Sequence, residues 1–337
     1  MSDTPADGLA EGPVDLDTLL STMRVVSIPM RVRFRGVLHR EIAVLPGPSG
    51  WGEFSPFLEY AAPEAARWLG AAIDAAWGSW PVPVRESVPV NATVPAVPAA
   101  EVPAVLARYD GCTTAKVKVA ERGQSLDDDL SRVAAVREVM GAGGLVRVDA
   151  NGGWSVDDAL DALARLSSYG LEYAEQPCAT VDELISLRKA LAQRGIDVPI
   201  AADESIRKAD DPLHVARVGA ADVAVVKVAP LGGVRAALEI AQEAGLPTVV
   251  SSAIDSSVGI AAGLALAAAL PDLPHACGLG TLGLMDGDVV TDSLVPQAGS
   301  LRVRRPAPSP ELLDRYAAAP DRVSWWRQRV ADCHPLL

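Results

Sequence analysis

A chain of 337 residues, 49% of them apolar, can build more than one core, so two domains or a large barrel with a smaller partner are expected. The formal net charge of −13 works against nucleic acid and anionic membranes as partners, although a bound cation and local lysines can reverse the field inside a cleft. The four cysteines form no CxxC pair and the four histidines no HxxxH or HExxH pattern, which speaks against a disulfide scaffold and a zinc site and leaves carboxylates to carry any metal.

The N-terminus, MSDTPADGLAEGPVDL, is acidic and lacks the basic and apolar regions of a signal peptide. The first 20 or so residues are expected to pack loosely. Met23 to Leu45 contains VSIPMRVRFRG and HREIAVL, which read as two antiparallel strands; GPSG then turns the chain and WGEF resumes a strand. Pro63 to Trp77 carries apolar residues at helical spacing behind an early proline. Strands followed by a helix suggest a small α+β domain over residues 1–89, with WPVPVRESVP as a linker at its end.

From Val90 the pattern changes to alternation. Strand readings fall on VNATVPA, TTAKVKVA, LVRVDAN, LEYAEQP, VPIAADE, ADVAVVKVAP, LPTVVSS and HACGLG. Helical readings lie between them. One spans Glu101 to Tyr109, one starts at Asp127 with acidic residues in its first turn, and Ser155 and Thr180 cap two more. Pro212 to Val218, Val234 to Ala244 and the apolar stretch Val258 to Leu270 complete the set. That last stretch is too short to span a bilayer and reads as a buried barrel helix. A cytoplasmic protein is therefore expected. Strand-end positions 118, 149, 175, 203, 227, 252 and 279 step by 31, 26, 28, 24, 25 and 27 residues, about what one strand, loop and helix need. Eight such strands favour a closed parallel barrel over residues 90–297, with an open α/β sheet as the runner-up. Residues 298–337, opening with GSLRVRRP, are expected to return to the N-terminal domain.

Five consecutive strand ends carry charge: Lys116 and Lys118, Asp149, Glu175, Asp203 and Lys227. A solvated face explains any one of them, but explains poorly five in a row at the end of a barrel where chemistry collects. Asp149, Glu175 and Asp203 can converge on one divalent cation, Mg2+ or alternatively Mn2+. Nearby lysines offer the competing, purely structural relief of their repulsion. Lys118 and Lys227 flank the acids, so a carboxylate substrate would lie between them, with one lysine removing the adjacent proton. Lys116 shares the side of Lys118 and can hold a substrate oxygen or tune its neighbour. Asn151 shares the parity of Asp149. Ser251, Ser252, Ser256, Ser257, Gly280 and Thr281 are weaker substrate-binding candidates, and helix capping explains them equally well. Glu204 alternates away from Asp203 and suits a salt bridge better than a metal. The basic strand Arg31, Arg33, Arg35 suits acidic partners across a domain interface. Trp51, Phe54 and Phe57 suit either a lid or an interdomain core.

The segments TAKVKV, VDANGGWS, EYAEQP, ADES and VVKVAPLGG together resemble the enolase superfamily in its muconate-lactonising-like subgroup, over nearly the whole chain. The resemblance implies a modified (β/α)7β TIM-type barrel with an α+β capping domain built from both chain ends. It implies Lys118 as catalytic base, Lys116 as the first lysine of the pair, Lys227 as the lysine of the opposite face, and Asp149, Glu175 and Asp203 as magnesium ligands. SSAIDSSVG followed by GLGT resembles members that perform a syn dehydration, although Asp255 stands where they usually carry Glu. The implied reaction converts 2-succinyl-6-hydroxy-2,4-cyclohexadiene-1-carboxylate to 2-succinylbenzoate through an enediolate, in menaquinone biosynthesis. N-acylamino acid racemases and dipeptide epimerases use the same metal and both lysines and form the alternative. The acids of DGD at 286–288 lie late for the ammonium determinant of a dipeptide epimerase. Specificity is expected from capping-domain loops near residues 16–30 and 47–60. The sequence does not fix the oligomeric state.

Overall fold

The computed structural model describes residues 14–34 and 36–337. The start of the acidic N-terminal segment and Arg35 of the basic strand lie outside them. Within the first 20 or so residues, which were expected to pack loosely, α1 (Leu16–Thr22) is capped by the Asp15 side chain and buries Leu19 completely.

Three antiparallel strands follow, β1 (Arg24–Phe34), β2 (Val37–Gly47) and β3 (Gly50–Phe54), in the order β1-β2-β3. Helix α2 (Ala62–Trp77) packs across this sheet. The approach is close enough that a Cβ on Gly52 would sit 1.9 Å from the Ala72 carbonyl oxygen, so a side chain there would push helix and sheet apart.

The linker expected at 80–89 ends in a short strand, β4 (Ser87–Pro89). The barrel proper contains β5 (Ala92–Val94), β6 (Thr114–Lys118), β7 (Leu145–Asp149), β8 (Leu171–Glu175), β9 (Ile200–Ala202), β10 (Val223–Val226) and β11 (Thr248–Val250), all parallel and neighbours in chain order. Residues 277–278 close the ring. Cys277 bridges Val90 on one side and Gly278 bridges Ser251 on the other, both in parallel sense. The helices between the strands are α3 (Val102–Leu106), α4 (Leu126–Met140), α5 (Val156–Leu166), α6 (Val181–Gln193), the short α7 (Glu204–Arg207) and α8 (His214–Arg217), α9 (Val234–Ala244) and α10 (Ser257–Ala269). The fold is thus the modified barrel expected, with a separate capping domain.

Ser125 and Thr180 each form a reciprocal capping box with the third helical residue, while Ser155 accepts from the backbone of Asp158. The apolar helix α10 is buried on nearly every face because the barrel lies on one side and β3 of the capping sheet on the other. No helix among the described residues is long and apolar enough to cross a membrane.

The C-terminal segment divides its contacts. β12 (Ser300–Arg302) pairs with β4, not with the three-stranded sheet. The helices α11 (Pro310–Arg315) and α12 (Pro320–Cys333) return to the capping domain, where Trp326 is wholly buried edge-on against Phe54 and donates to Glu41 at 2.7 Å. Phe54 therefore belongs to the core of the capping domain and is not a lid.

Candidate active site

Parallel register carries the charged residues to one level. Lys118 pairs with Asp149 and Asp149 with Glu175, while Asp203 and Lys227 follow immediately after β9 and β10. Lys116 lies two residues before Lys118 and so shares its face. All six side chains are nearly inaccessible, with Asp149 at 0%, Glu175 and Asp203 at 1%, and the lysines at 7–8%. Burial of so many ions requires mutual pairing.

Lys118 Nζ donates to Asp149 Oδ2 at 2.5 Å and to Asn151 Oδ1 at 2.6 Å. Lys116 Nζ reaches Glu175 at 3.0 Å and Asp149 at 3.2 Å. Lys227 Nζ donates to Asp203 Oδ2 at 2.6 Å. Arg207, four residues beyond Asp203 on α7, holds the other oxygen of Asp203 at 3.0 Å and also binds Glu204 and the Tyr60 hydroxyl of the capping domain. Gln176 is fully engaged beneath them: its carbonyl accepts from the Asp203 and Ser205 backbones and its amide donates to Cys178 and Ser205. Asn151 and Gln176, each just past a strand end, have left-handed backbones with φ of 47° and 38°. Such conformations are uncommon outside glycine and gather at functional loops.

The field is uneven. Burial pushes the Lys118 ammonium below its ordinary value; Asp149 opposes that shift and the like charge of Lys116 adds to it. Lys116 is raised: burial opposes its charge, but Glu175 and Asp149 outweigh the burial. Burial would also raise Asp149 and Asp203, yet Lys118 and Lys116 hold the first, and Lys227 and Arg207 the second, well below the usual carboxylate range. Glu175 is pushed up to about 7 by burial and by Asp149 beside it.

Three buried carboxylates on successive strands, offering only oxygen, fit a hard divalent cation in donor chemistry. Burial first, and then the neighbouring Asp149 and Asp203, raise Glu175, and a cation would relieve the acidic part of that load. Among the described residues no three acidic, histidine or cysteine side chains form a ready-made metal cluster. The geometry gives the reason, since each carboxylate is engaged by an ammonium or guanidinium group.

Lys116, Lys118, Asp149, Asn151, Lys227, Ser251, Ser252 and Thr281 line one inner cavity of about 30 Å3. Lys118 and Lys227 come from the second and sixth strands of an eight-stranded ring and so approach from opposite sides. Ser252 and Thr281 share a hydroxyl–hydroxyl bond of 2.6 Å. Gly280 does not line the cavity; its backbone packs beside the Asn91 carbonyl. The second serine pair is occupied elsewhere. Ser256 donates to Glu53 of the capping domain, and Ser257 donates to Asp288 at 2.5 Å, so the start of α10 is already filled by the protein's own carboxylates. Asp286 pairs with Arg31 at 3.0 Å, which accounts for the DGD segment and places this basic residue at a domain interface.

The cap reaches the site at Phe57, one of the residues suited to a lid, and at points the sequence pattern did not single out. Phe34, at the tip of the β1–β2 hairpin, places its ring 5.2 Å from Lys118 Nζ. Phe57 lines the same cavity, as does Thr93 of β5. Within the two expected specificity loops, only Phe57 of residues 47–60 lines this cavity; the hairpin tip replaces residues 16–30. Arg40 of β2 donates to the carbonyls of Ala253 and Ile254 at 3.2 and 3.0 Å, gripping the loop after β11 where Ile254 has φ of 62°. A β-branched residue in that conformation is strained and needs such restraint.

Comparison with known proteins follows the same outline. Residues 99–308 match the enolase C-terminal domain-like family and residues 25–76 the enolase N-terminal domain-like family. The chain is 60% identical over 327 residues to an o-succinylbenzoate synthase of Mycobacterium ulcerans, covering 97% of each chain. It is 58% identical over 330 residues to that of Mycolicibacterium smegmatis, covering 98% of this chain and 100% of the relative. Among solved structures, muconate lactonizing enzyme from Pseudomonas fluorescens, complexed with muconolactone, superposes with a TM-score of 0.75 at 22% identity, over 88% of this chain and 98% of that one. A dipeptide epimerase from Enterococcus faecalis gives a TM-score of 0.69 at 22% identity, over 85% and 96%. These two share the fold. The chain belongs to the enolase superfamily and, within it, to the o-succinylbenzoate synthase family of lyases.

Proposed function

We propose that this chain catalyses the Mg2+-dependent syn dehydration of 2-succinyl-6-hydroxy-2,4-cyclohexadiene-1-carboxylate to 2-succinylbenzoate, a step of menaquinone biosynthesis. The substrate assignment is supported by relatives of 57–60% identity over nearly the whole chain that bear the name o-succinylbenzoate synthase. The chemistry is supported by one observation above the rest: Lys118 and Lys227 enter one cavity from opposite sides of a ring whose intervening strands end in Asp149, Glu175 and Asp203.

Lys118 is the base. Its lowered pKa increases the neutral fraction that can take the proton beside the ring carboxylate. As that C–H bond breaks, its electron pair moves into the carboxylate to give an enediolate. A divalent ion held by Asp149, Glu175 and Asp203 would supply positive charge opposite that developing negative charge. Lys227, as ammonium, stabilises the anion from the other side. Lys118, now protonated, delivers its proton to the hydroxyl on the same face; the C–O bond breaks, water leaves, and the ring becomes aromatic. Lys116 braces Glu175 and Asp149 and keeps positive charge beside the base. The inner cavity holds about one water-sized guest at 30 Å3, so ring entry requires it to widen.

Incubation of the purified protein with magnesium and the cyclohexadiene substrate should produce the ultraviolet spectrum of 2-succinylbenzoate. A protein that forms no product, yet exchanges the α-proton of N-acyl amino acids or dipeptides for deuterium, is a racemase or epimerase and the proposal fails.

A further inference from the structure

Outside the inner cavity lies a second, larger one of about 460 Å3, and the two share Phe34, Lys118 and Asn151. The outer chamber is walled by Arg33 from the capping hairpin and by Glu121, Arg122 and Gln124 from the loop after β6. Among the described residues three cations, Arg33, Lys118 and Arg122, face it against one acid, Glu121, in a chain whose formal net charge is −13. Among the described residues, neither Arg33 nor Arg122 is held in an ion pair, whereas Gln124 is anchored by bonds to Ala96 and Arg132. The loop therefore has a fixed root and presents a free guanidinium.

We propose that Arg33 and Arg122 form the recognition site for a second carboxylate on the substrate, one carried by a flexible tail several bonds from the reacting carbon. This rests on the dehydratase reading, in which the substrate has a ring carboxylate and a succinyl carboxylate. The ring carboxylate belongs in the inner cavity between the lysines. The tail then passes Phe34, which stands at the boundary of the chambers, and ends between two planar guanidinium groups suited to paired hydrogen bonds with a carboxylate. Because one arginine comes from the cap and the other from the barrel, a dicarboxylate bridges the two, and a substrate lacking the tail charge does not. Arg33 and Arg122 are binding residues remote from the reacting atoms, so their loss should weaken ground state and transition state alike.

The test uses the full-length protein with magnesium and compares wild type, R33A, R122A and R33A/R122A. An exposed charge pair contributes up to about fivefold, so each single variant should raise KM about three- to fivefold and the double variant roughly 20-fold, with kcat within about twofold. Wild type should bind 2-succinylbenzoate more tightly than 2-butanoylbenzoate, whose tail lacks the carboxylate. That preference should shrink with added salt and disappear in the double variant, while R33K/R122K should keep most of it. A double variant with unchanged KM, or one that loses kcat at constant KM, overturns this assignment while leaving the dehydratase reading intact. Wild-type protein that neither dehydrates the substrate nor binds 2-succinylbenzoate overturns the dehydratase reading itself and, with it, this assignment.

Discussion

Two clusters of buried charge occupy the same barrel strands two residues apart. β7 carries Arg147 and, one step along the same face, Asp149; β8 carries Tyr173 and then Glu175. The lower cluster is built on arginine. Arg147 is wholly buried and donates to Glu172 at 2.9 Å, to the Tyr173 hydroxyl at 2.7 Å and to the Ala276 carbonyl at 2.9 Å, with its guanidinium 4.5 Å over the Tyr173 ring. His275 braces Glu172 from the other side at 2.7 Å. The upper cluster is built mainly on lysine, with three ammonium groups on long stems shared among three acids and one arginine, Arg207, clamping Asp203 Oδ1. A planar, permanently charged fork suits a fixed joint, while a lysine can give up its proton and swing aside. The contrast teaches that burial and pairing alone do not mark a reactive site; the type of cation does.

The sharpest way to break that comparison is to remove one cation from each cluster. Lys118→Ala should lower kcat by roughly a thousandfold, the range of a lost general base, while the thermal midpoint stays near wild type because Asp149 retains Lys116. Steady-state rates and a melting curve on the same sample check this. Wild-type turnover in that variant would remove Lys118 from the chemistry. Arg147→Met should do the reverse, costing about 3 kcal/mol of unfolding free energy by leaving part-buried Glu172 with His275 alone and the Tyr173 hydroxyl and Ala276 carbonyl without their donor, with turnover per folded molecule largely kept. A denaturant titration measures it, and an Arg147→Met protein that is stable but inactive would merge the two clusters into one machine.

The pH dependence of that variant sharpens the point. Burial would raise Glu172, but His275 and Arg147 together hold its carboxyl below the ordinary value of 4.5. A depressed acid stabilises the fold above its unfolded pKa, and that contribution is lost as pH falls through the folded pKa. The wild type should therefore lose stability from this group below about pH 4.5. In Arg147→Met the main cost is a part-buried anion left with His275 as its one cationic partner, so the destabilisation relative to wild type should shrink as the pH is lowered from 7 toward 4. A penalty that is flat across this range would show that packing, not charge, is what Arg147 supplies.

How far each cluster was legible in the sequence follows from the same contrast. The upper six were visible because their charges interrupt strands that otherwise read Val and Ala, at intervals of one β/α unit, and parallel register then had to bring them level. Arg147 sits in the strand LVRVD and showed no such recurrence, so nothing in the one-dimensional pattern separated it from a solvent-facing residue. Arg207 left a trace, lying three and four residues beyond Glu204 and Asp203 on one helical turn, but its bond to Tyr60 depends on how the cap docks. The same holds for Phe34 and Arg40, which belong to a sheet that alternates only in part and whose reach into the barrel is set by interdomain packing. Within the serine-rich segment Ser251 and Ser252 line the cavity, whereas Ser256 and Ser257 do not; spacing alone cannot tell an open helix start from one already capped. Glu53, from a strand some 200 residues earlier, accepts from the Ser256 and Gly259 backbones and from the Ser256 hydroxyl.

The smallest effect tests whether the lysine pair works as a pair. Lys116 pushes the Lys118 pKa down as a like charge, in the same direction as burial and against Asp149. If Lys118 must be neutral to act, kcat/KM rises with pH as Lys118 loses its proton. Lys116→Met removes the like charge, raises the Lys118 pKa, and should move that rising limb to higher pH; Lys116→Arg keeps the charge and should leave it near the wild-type position. A limb that stays put in Lys116→Met would reduce Lys116 to a brace for Glu175, the same kind of fixed support that Arg147 gives Glu172 lower in the barrel. A limb that moves in Met and not in Arg would mean that the pairing of two lysines on one strand face sets the proton affinity of the base, a task the arginine cluster beneath has no means to perform.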